Sequence, residues 1–255
     1  MRVCVFQIKG LYGHWRKWFT TTSPLTYSFP PRTSIIGLIG AIVGVAREDI
    51  PSVFPCARTQ IAICPTKPIL KDRMPENWRQ SPVSFRKGKL DKSSVEKFAE
   101  GFQSNLEIIR NPSYRIVFGY QGEGSFAMED FIRRLKHKRW TFQPYLGIMG
   151  FLADIQFESV DEAVEQPENH VELHSVLPLS KEIEPLVDIS ESDVYTREER
   201  IPIEVLPGRQ FLYLNVAYIE SNGKPLIIKA RSKPISFYHL KYLQQNVIFL
   251  ESCAR

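Results

Sequence analysis

Phe29-Pro30-Pro31-Arg32-Thr33-Ser34-Ile35-Ile36-Gly37-Leu38-Ile39-Gly40-Ala41-Ile42-Val43-Gly44 is the run from which the fold is read outward. Two prolines forbid helix before Arg32, and the Thr33-Ser34 pair offers hydroxyls that can cap a helix starting just after them. The apolar residues that follow predict this helix over about 35–46. Gly37, Gly40 and Gly44 are three and four apart, so they fall on one face. Each costs a helix about 1 kcal/mol relative to alanine, so the stripe asks for close approach of another backbone, the protein's own sheet first of all.

Upstream, residues 2–9 alternate as a strand, and Gly10 to Ser28 form a loop rich in aromatics, glycine and hydroxyls. Downstream, 58–64 and 113–120 are short apolar runs of strand type, separated by an insertion of about fifty residues. The insertion opens on a basic and aromatic tract without usable period. It continues with Val95, Phe98, Phe102, Leu106 and Ile109 at helical spacing behind a capping box of Ser93 and Glu96. A second helix is expected over about 128–139, with Met128, Phe131, Ile132 and Leu135 inward and Arg133, Arg134, Lys136, His137, Lys138 and Arg139 elsewhere. Pro144-Tyr145-Leu146-Gly147 then leads into a strand over 151–157. The sum is an α+β chain with a ferredoxin-like, RNA-recognition-type βαββαβ core over 1–158. The remainder, 159–255, is an acidic segment followed by a small β-rich C-terminal lobe. There 209–220 and 225–230 read as a hairpin turning at Asn222-Gly223.

The 255 residues, 43% hydrophobic and 24% charged, are an ordinary globular balance. The apolar run Ile35 to Ala46 is short and broken by glycines, so no membrane span is expected. The first five residues lack the make-up of a signal peptide, and Cys4, Cys56, Cys64 and Cys253 match neither a zinc knuckle nor a disulfide framework. A cytoplasmic address follows from both. Net charge is only +5, yet the stretch 158–199 holds 13 of the 28 acidic residues against two basic ones, Lys181 and Arg197. Outside it stand 31 Lys+Arg against 15 Asp+Glu, a formal +16, enough to neutralise several phosphates.

Chemistry-bearing residues favour binding over catalysis. His170 and His174 are not in H-E-x-x-H order and have no third ligand nearby, so neither metal nor cofactor is expected. Metal-free RNA cleavage needs a base, an acid and a cation, for which His14, Tyr12, Tyr27 and the Lys136-His137 pair qualify by type. Lys136 and His137, however, sit on a helix whose charged face has solvent as its simplest neighbour. RNA binding finds more: His14, Trp15, Arg16, Lys17, Trp18 and Phe19 in the first loop, and Arg32, Thr33 and Ser34 at a helix start. The insertion adds Trp78, Arg79, Phe85, Arg86, Lys87 and Lys89.

Gly10-Leu-Tyr-Gly-His-Trp, the spaced Tyr27 to Ser34 segment, the glycine-striped helix and Pro144-Tyr145-Leu146-Gly147 together resemble the Cas-five family of CRISPR-associated proteins, over about residues 1–155. The resemblance implies a core of the RAMP type and a thumb formed by the insertion, about 71–112. It implies a structural, non-enzymatic subunit of the type I interference complex, Cascade, that holds the 5′ handle of the crRNA and caps the backbone filament. His14, Arg16, Lys17, Tyr27, Arg32, Thr33, Ser34, Gly37 and Gly40, with Tyr145 and Gly147, are then expected near the RNA, and Arg79, Arg86, Lys87 and Lys89 on the thumb. The implied partners are a Cas-seven-type backbone subunit, a Cas-eight-type large subunit, and target DNA indirectly through the complex. One branch of the family is a metal-independent endoribonuclease that processes precursor CRISPR RNA; this chain departs from it in lacking a convincing base and cation pair beside Tyr27.

Overall fold

In the computed structural model, residues 1–20, 23–78, 85–86, 89–90, 102–122, 126–179, 187–192 and 194–253 are described. Strand β1 (Arg2–Lys9) buries both its faces: Cys4, Phe6 and Ile8 point one way, Val3 and Val5 the other. After β2 (Tyr12–Gly13) come α1 (Arg32–Val43), the short α2 (Ile50–Val53) and β3 (Thr59–Pro65). The insertion supplies β4 (Leu70–Trp78), β5 (Phe85–Arg86), β6 (Lys89–Leu90) and β7 (Phe102–Arg110). Then β8 (Ser113–Tyr120), α3 (Met128–His137) and the long β9 (Asp154–Glu168) complete the first part of the chain.

The remainder is β-rich: β10 (His170–Leu173), β11 (Leu177–Leu179), β12 (Val187–Asp188), β13 (Tyr195–Leu206), β14 (Gln210–Glu220), β15 (Leu226–Ala230), β16 (Ile235–Leu240) and β17 (Gln245–Val247). The architecture is mixed α+β, rich in sheet with few helices. A nine-stranded sheet runs β12-β15-β10-β17-β16-β9-β1-β8-β3, β11-β14-β13 form a second sheet, and β2-β7-β4 a third.

Within the large sheet β9, β1, β8 and β3 are antiparallel neighbours, with α1 between β1 and β3 in sequence and α3 between β8 and β9. Both helices lie on one face: Ile35, Ile39 and Ile42 of α1 and Phe131 and Leu135 of α3 share a core with Phe6, Ile61, Ile116 and Phe118. Full burial of each such side chain stabilises by about 1.5–3 kcal/mol. The opposite face is closed as well, because Leu240, Val247 and Phe249 pack on Val3, Val5, Ala62 and Val117. In RNA-recognition sheets that second face stacks bases; here it is occupied by the chain's own C-terminal segment, so that face is not open to a strand.

Several expectations are revised. Helix α1 starts at Arg32 and ends at Val43, because Pro31 takes the N-cap and Gly44, at φ 86°, ends it with its N–H on the Gly40 carbonyl. Thr33 and Ser34 therefore lie inside the first turn and make no capping bond. The glycine stripe does not meet the sheet: a Cβ on Gly37 would meet nothing within 4 Å, and one on Gly40 would meet only the side chains of Ile50 and Val45. Residues 102–110 form a strand, not a helix, paired with β4 from Leu70 opposite Arg110 to Trp78 opposite Phe102. Ser104, Leu106 and Ile108 alternate inward there, and cross-strand pairing satisfies the backbone that a helical reading of the same residues left open. The capping box at Ser93 and Glu96 lies outside the described residues.

Asn222-Gly223 joins no hairpin: β14 pairs with β13 and β11, whereas β15 pairs with β10 and β12. The hairpin of this region turns instead at Pro207-Gly208-Arg209, joining β13 to β14. The boundary drawn at 158 falls inside β9, whose later residues pair with β16. The acidic stretch meets the chain's own donors: Glu158 pairs with Arg115, Glu162 with Lys241, and Asp161 accepts from the backbone N–H groups of Tyr242 and Leu243.

Candidate nucleic-acid interface

The first loop is a folded unit anchored on the root of the insertion. His14 is 4% exposed, and its Nδ1 lies 2.7 Å from the Glu107 carbonyl of β7. Burial holds its imidazole below the usual value, so it is neutral. The Thr26 N–H donates to the Glu107 carboxylate at 2.9 Å, and Lys71 Nζ to the Thr26 carbonyl at 3.1 Å. Lys17 lies 2.7 Å from the buried Glu198 and 5.5 Å over the Tyr27 ring. The Tyr27 hydroxyl donates to the Arg200 carbonyl at 2.8 Å, and burial pushes it up to about 12. Neither His14 nor Tyr27 is therefore placed to take or give a proton at an external ligand. Arg16 remains exposed and bonds the Thr20 carbonyl at 2.6 Å.

Arg32 is the clearest correction. At 2% exposure its guanidinium is turned inward onto the Glu251 carboxylate, with further bonds to the carbonyls of Ile203 at 2.9 Å and Phe54 at 3.3 Å. An arginine so buried does not present its guanidinium to an external phosphate, and its role is to tie α1 to the C-terminal segment. Thr33, Ser34 and Gly37 stay half-buried on the outer side of α1. Arg79 and Lys87 lie outside the described residues, while Arg86 and Lys89 pair across the β5–β6 ribbon.

What the fold does bring together are two segments far apart in sequence. The His14 N–H donates to the Leu146 carbonyl at 3.1 Å, and the rings of Tyr12 and Phe151 stand 5.7 Å apart. Gly147, at φ 86°, passes so close that a Cβ would lie 1.7 Å from the His14 carbonyl oxygen. Only glycine permits this approach, which fastens the Pro144–Gly147 segment to the first loop. The joined loops expose Leu11, Tyr12, Tyr145 (47% exposed), Met149 and Leu152. At their border, the Thr141 and Phe142 N–H groups donate to the carbonyls of Ile42 and Ala41 at the end of α1; just before them in the chain, Lys136 and His137 of α3 and the following Lys138 and Arg139 are exposed, Lys138 lying 3.6 Å from the Asp154 carboxylate. Aromatic faces beside cations suit unpaired nucleotides: the rings stack bases and the cations meet phosphates.

The family model described as CRISPR-associated protein (Cas_Cas5) matches residues 3–203. The chain belongs to that family. Among solved structures it is similar to one titled "Crystal structure of a CRISPR protein from Archaeoglobus fulgidus", at 11% identity and a TM-score of 0.50, covering 96% of this chain and 98% of that one. A chain titled "CRISPR RNA-guided surveillance complex" is 12% identical with a TM-score of 0.44, covering 92% and 91%. No curated protein matches it by sequence.

The Cas_Cas5 match spans the first loop, α1 and the Pro144–Gly147 segment, whose association the fold makes physical. Sequence reasoning missed Glu198, fully buried, which accepts from the N–H and hydroxyl of Ser28 and from Lys17. It also missed Arg200 and Tyr213, which approach Trp18. No spacing signal links residues so distant in the chain.

Proposed function

We propose that this Cas-five-type chain is a structural RNA-binding subunit of a type I CRISPR interference complex, holding the 5′ handle of the crRNA on the joined loops and the adjacent end of α3. The observation that carries this reading is the Gly147 approach, which fastens together two loops that expose Tyr12 and Tyr145, a few residues after the exposed Lys138 and Arg139 in the chain. The strand order β9-β1-β8-β3, fourth-first-third-second in sequence among these four, supports a ferredoxin-like core. The β4–β7 ribbon, rooted on the first loop through Glu107, is in position to serve as the thumb. A Cas-seven-type backbone subunit and a Cas-eight-type large subunit are the proposed partners, with target DNA reached only through the assembly, in the cytoplasm.

The test is affinity for handle-bearing RNA at moderate salt. Tyr145→Ala should weaken binding by about 5-fold or more, in keeping with one lost stacking contact, and Arg139→Ala should lower the salt slope by about one unit. Wild-type affinity in both variants would refute the surface. We further propose that the chain does not cut precursor RNA. Lys136 and His137 are both exposed on α3, so the opposing outcome is concrete: discrete cleavage in chelator, abolished by His137→Ala, would make it a metal-independent endoribonuclease.

A further inference from the structure

The β13–β14 ribbon pairs in continuous register from Tyr195 opposite Glu220 to Pro202 opposite Tyr213, except at Arg200. There the backbone turns to φ 54°, a conformation that bulky L-residues rarely adopt, and the Arg200 carbonyl swings onto the Tyr27 hydroxyl. The turn sends the guanidinium outward, 4.5 Å over the Trp18 ring and 5.1 Å over that of Tyr213. Trp18 meets Phe19 edge-on at 5.6 Å. Trp18 and Phe19 remain 51% and 54% exposed despite these contacts, so faces are left for a further planar group.

The surroundings favour an anionic strand. Arg200 forms no ion pair among the described residues, and Arg16 and Arg209 are exposed in the same two segments. Of the nearby carboxylates, Glu198 is buried against Lys17 and Glu199 lies 3.4 Å from Arg197. A stack of indole, guanidinium and phenol, held open by a strained backbone, is the arrangement on which an unpaired base adds by π-stacking and its phosphate meets the cations.

We propose that Trp18, Arg200 and Tyr213 form a second platform, separate from the joined loops, that stacks an unpaired base of single-stranded RNA. The proposal rests on the RNA-binding reading above and adds a site to it. Because every base has a π-face, the platform tolerates sequence and contributes grip rather than readout.

The experiment measures binding of the full chain to a labelled single-stranded oligoadenylate and to an abasic ribose-phosphate strand of equal length and charge. Trp18→Ala and Arg200→Gly are compared with wild type, glycine being chosen because it accepts φ 54°. Each variant should bind oligoadenylate about tenfold more weakly. On the abasic strand Trp18→Ala should match wild type and Arg200→Gly should show only a small, salt-sensitive loss. Trp18→Phe should retain most of the affinity, with melting temperatures confirming the fold. Wild-type affinity of Trp18→Ala for oligoadenylate overturns the platform. If Tyr145→Ala then still weakens binding, the loop surface survives alone; a wild-type chain that binds no RNA overturns both. Loss of partner-subunit capture in Trp18→Ala, with RNA affinity intact, would reassign the stack to a protein contact and also refute the proposal.

Discussion

Replacing Arg32 by methionine is expected to destabilise the chain severely while leaving the proposed RNA surfaces chemically untouched. The side chain bridges Glu251 and the carbonyls of Ile203 and Phe54. Without it the Glu251 carboxylate, 5% exposed, keeps the Ile61 N–H at 2.9 Å but no counter-charge. Breaking one partner of a buried pair costs about 3–5 kcal/mol. At about 2–4 °C per kcal/mol for a chain of this size, the melting temperature should fall by about 6–20 °C. Removing both charges in Arg32→Met/Glu251→Leu should recover most of that loss, since the penalty comes from the orphaned carboxylate. Burial pushes the Glu251 carboxyl upward and Arg32 opposes it. In Arg32→Met the upward push of burial is opposed by backbone N–H bonds such as that of Ile61 and no longer by a counter-charge, and a raised carboxyl contributes stability at low pH that is lost as pH rises through its folded value. The deficit of the single variant should therefore shrink as pH falls toward the ordinary glutamate value of about 4.3. Thermal unfolding followed by circular dichroism between pH 4.5 and 8 measures all of this. A single variant melting within about 2 °C of wild type at pH 7 would refute the buried-pair account.

Three further outcomes are expected. Gly147→Ala should release the loop junction, because its Cβ cannot occupy a point 1.7 Å from the His14 carbonyl; proteolysis within 142–152 should accelerate, and RNA affinity should fall with it. Gly37→Ala should raise stability by about 0.5–1 kcal/mol in denaturant titrations, since open space surrounds that position on α1, and a loss of stability would show that its outer face is not free. His14 is held neutral by burial, so its folded value is depressed: the unfolded chain binds more protons below about 6.5, and stability falls as pH drops through that value. His14→Gln should flatten this part of the stability profile, and an unchanged profile would exclude His14 as its source.

Local physics was legible wherever one element is dictated by its own period. The strands at 2–9 and 113–120 and the start of the helix at Met128 appear as read, because a short apolar run bounded by turn residues, or burial recurring every three to four residues, marks each within a single segment. The same rule failed at 102–110, where Phe102, Leu106 and Ile109 fit a helix but Ser104, Leu106 and Ile108 fit a strand; the partner β4 chose between them. Asn222-Gly223 has the composition of a hairpin turn, and Gly223 does adopt φ 77°, yet its two flanking strands found longer ladders elsewhere. Among the candidate site residues, Tyr145 and Gly147 were readable as a motif, but their junction with the first loop was not.

The chain's family, its basic excess outside 158–199 and those strands and helices marked by their own residues are properties of the linear sequence, since each rests on neighbours in the chain or on simple composition. Tertiary structure alone decided which charged side chains face outward. Arg32 turns inward because Glu251 waits 219 residues later, and Arg200 turns outward because Tyr27 takes its carbonyl. Burial energies that depend on partners so remote are set only when the sheet closes, and no local pattern encodes them.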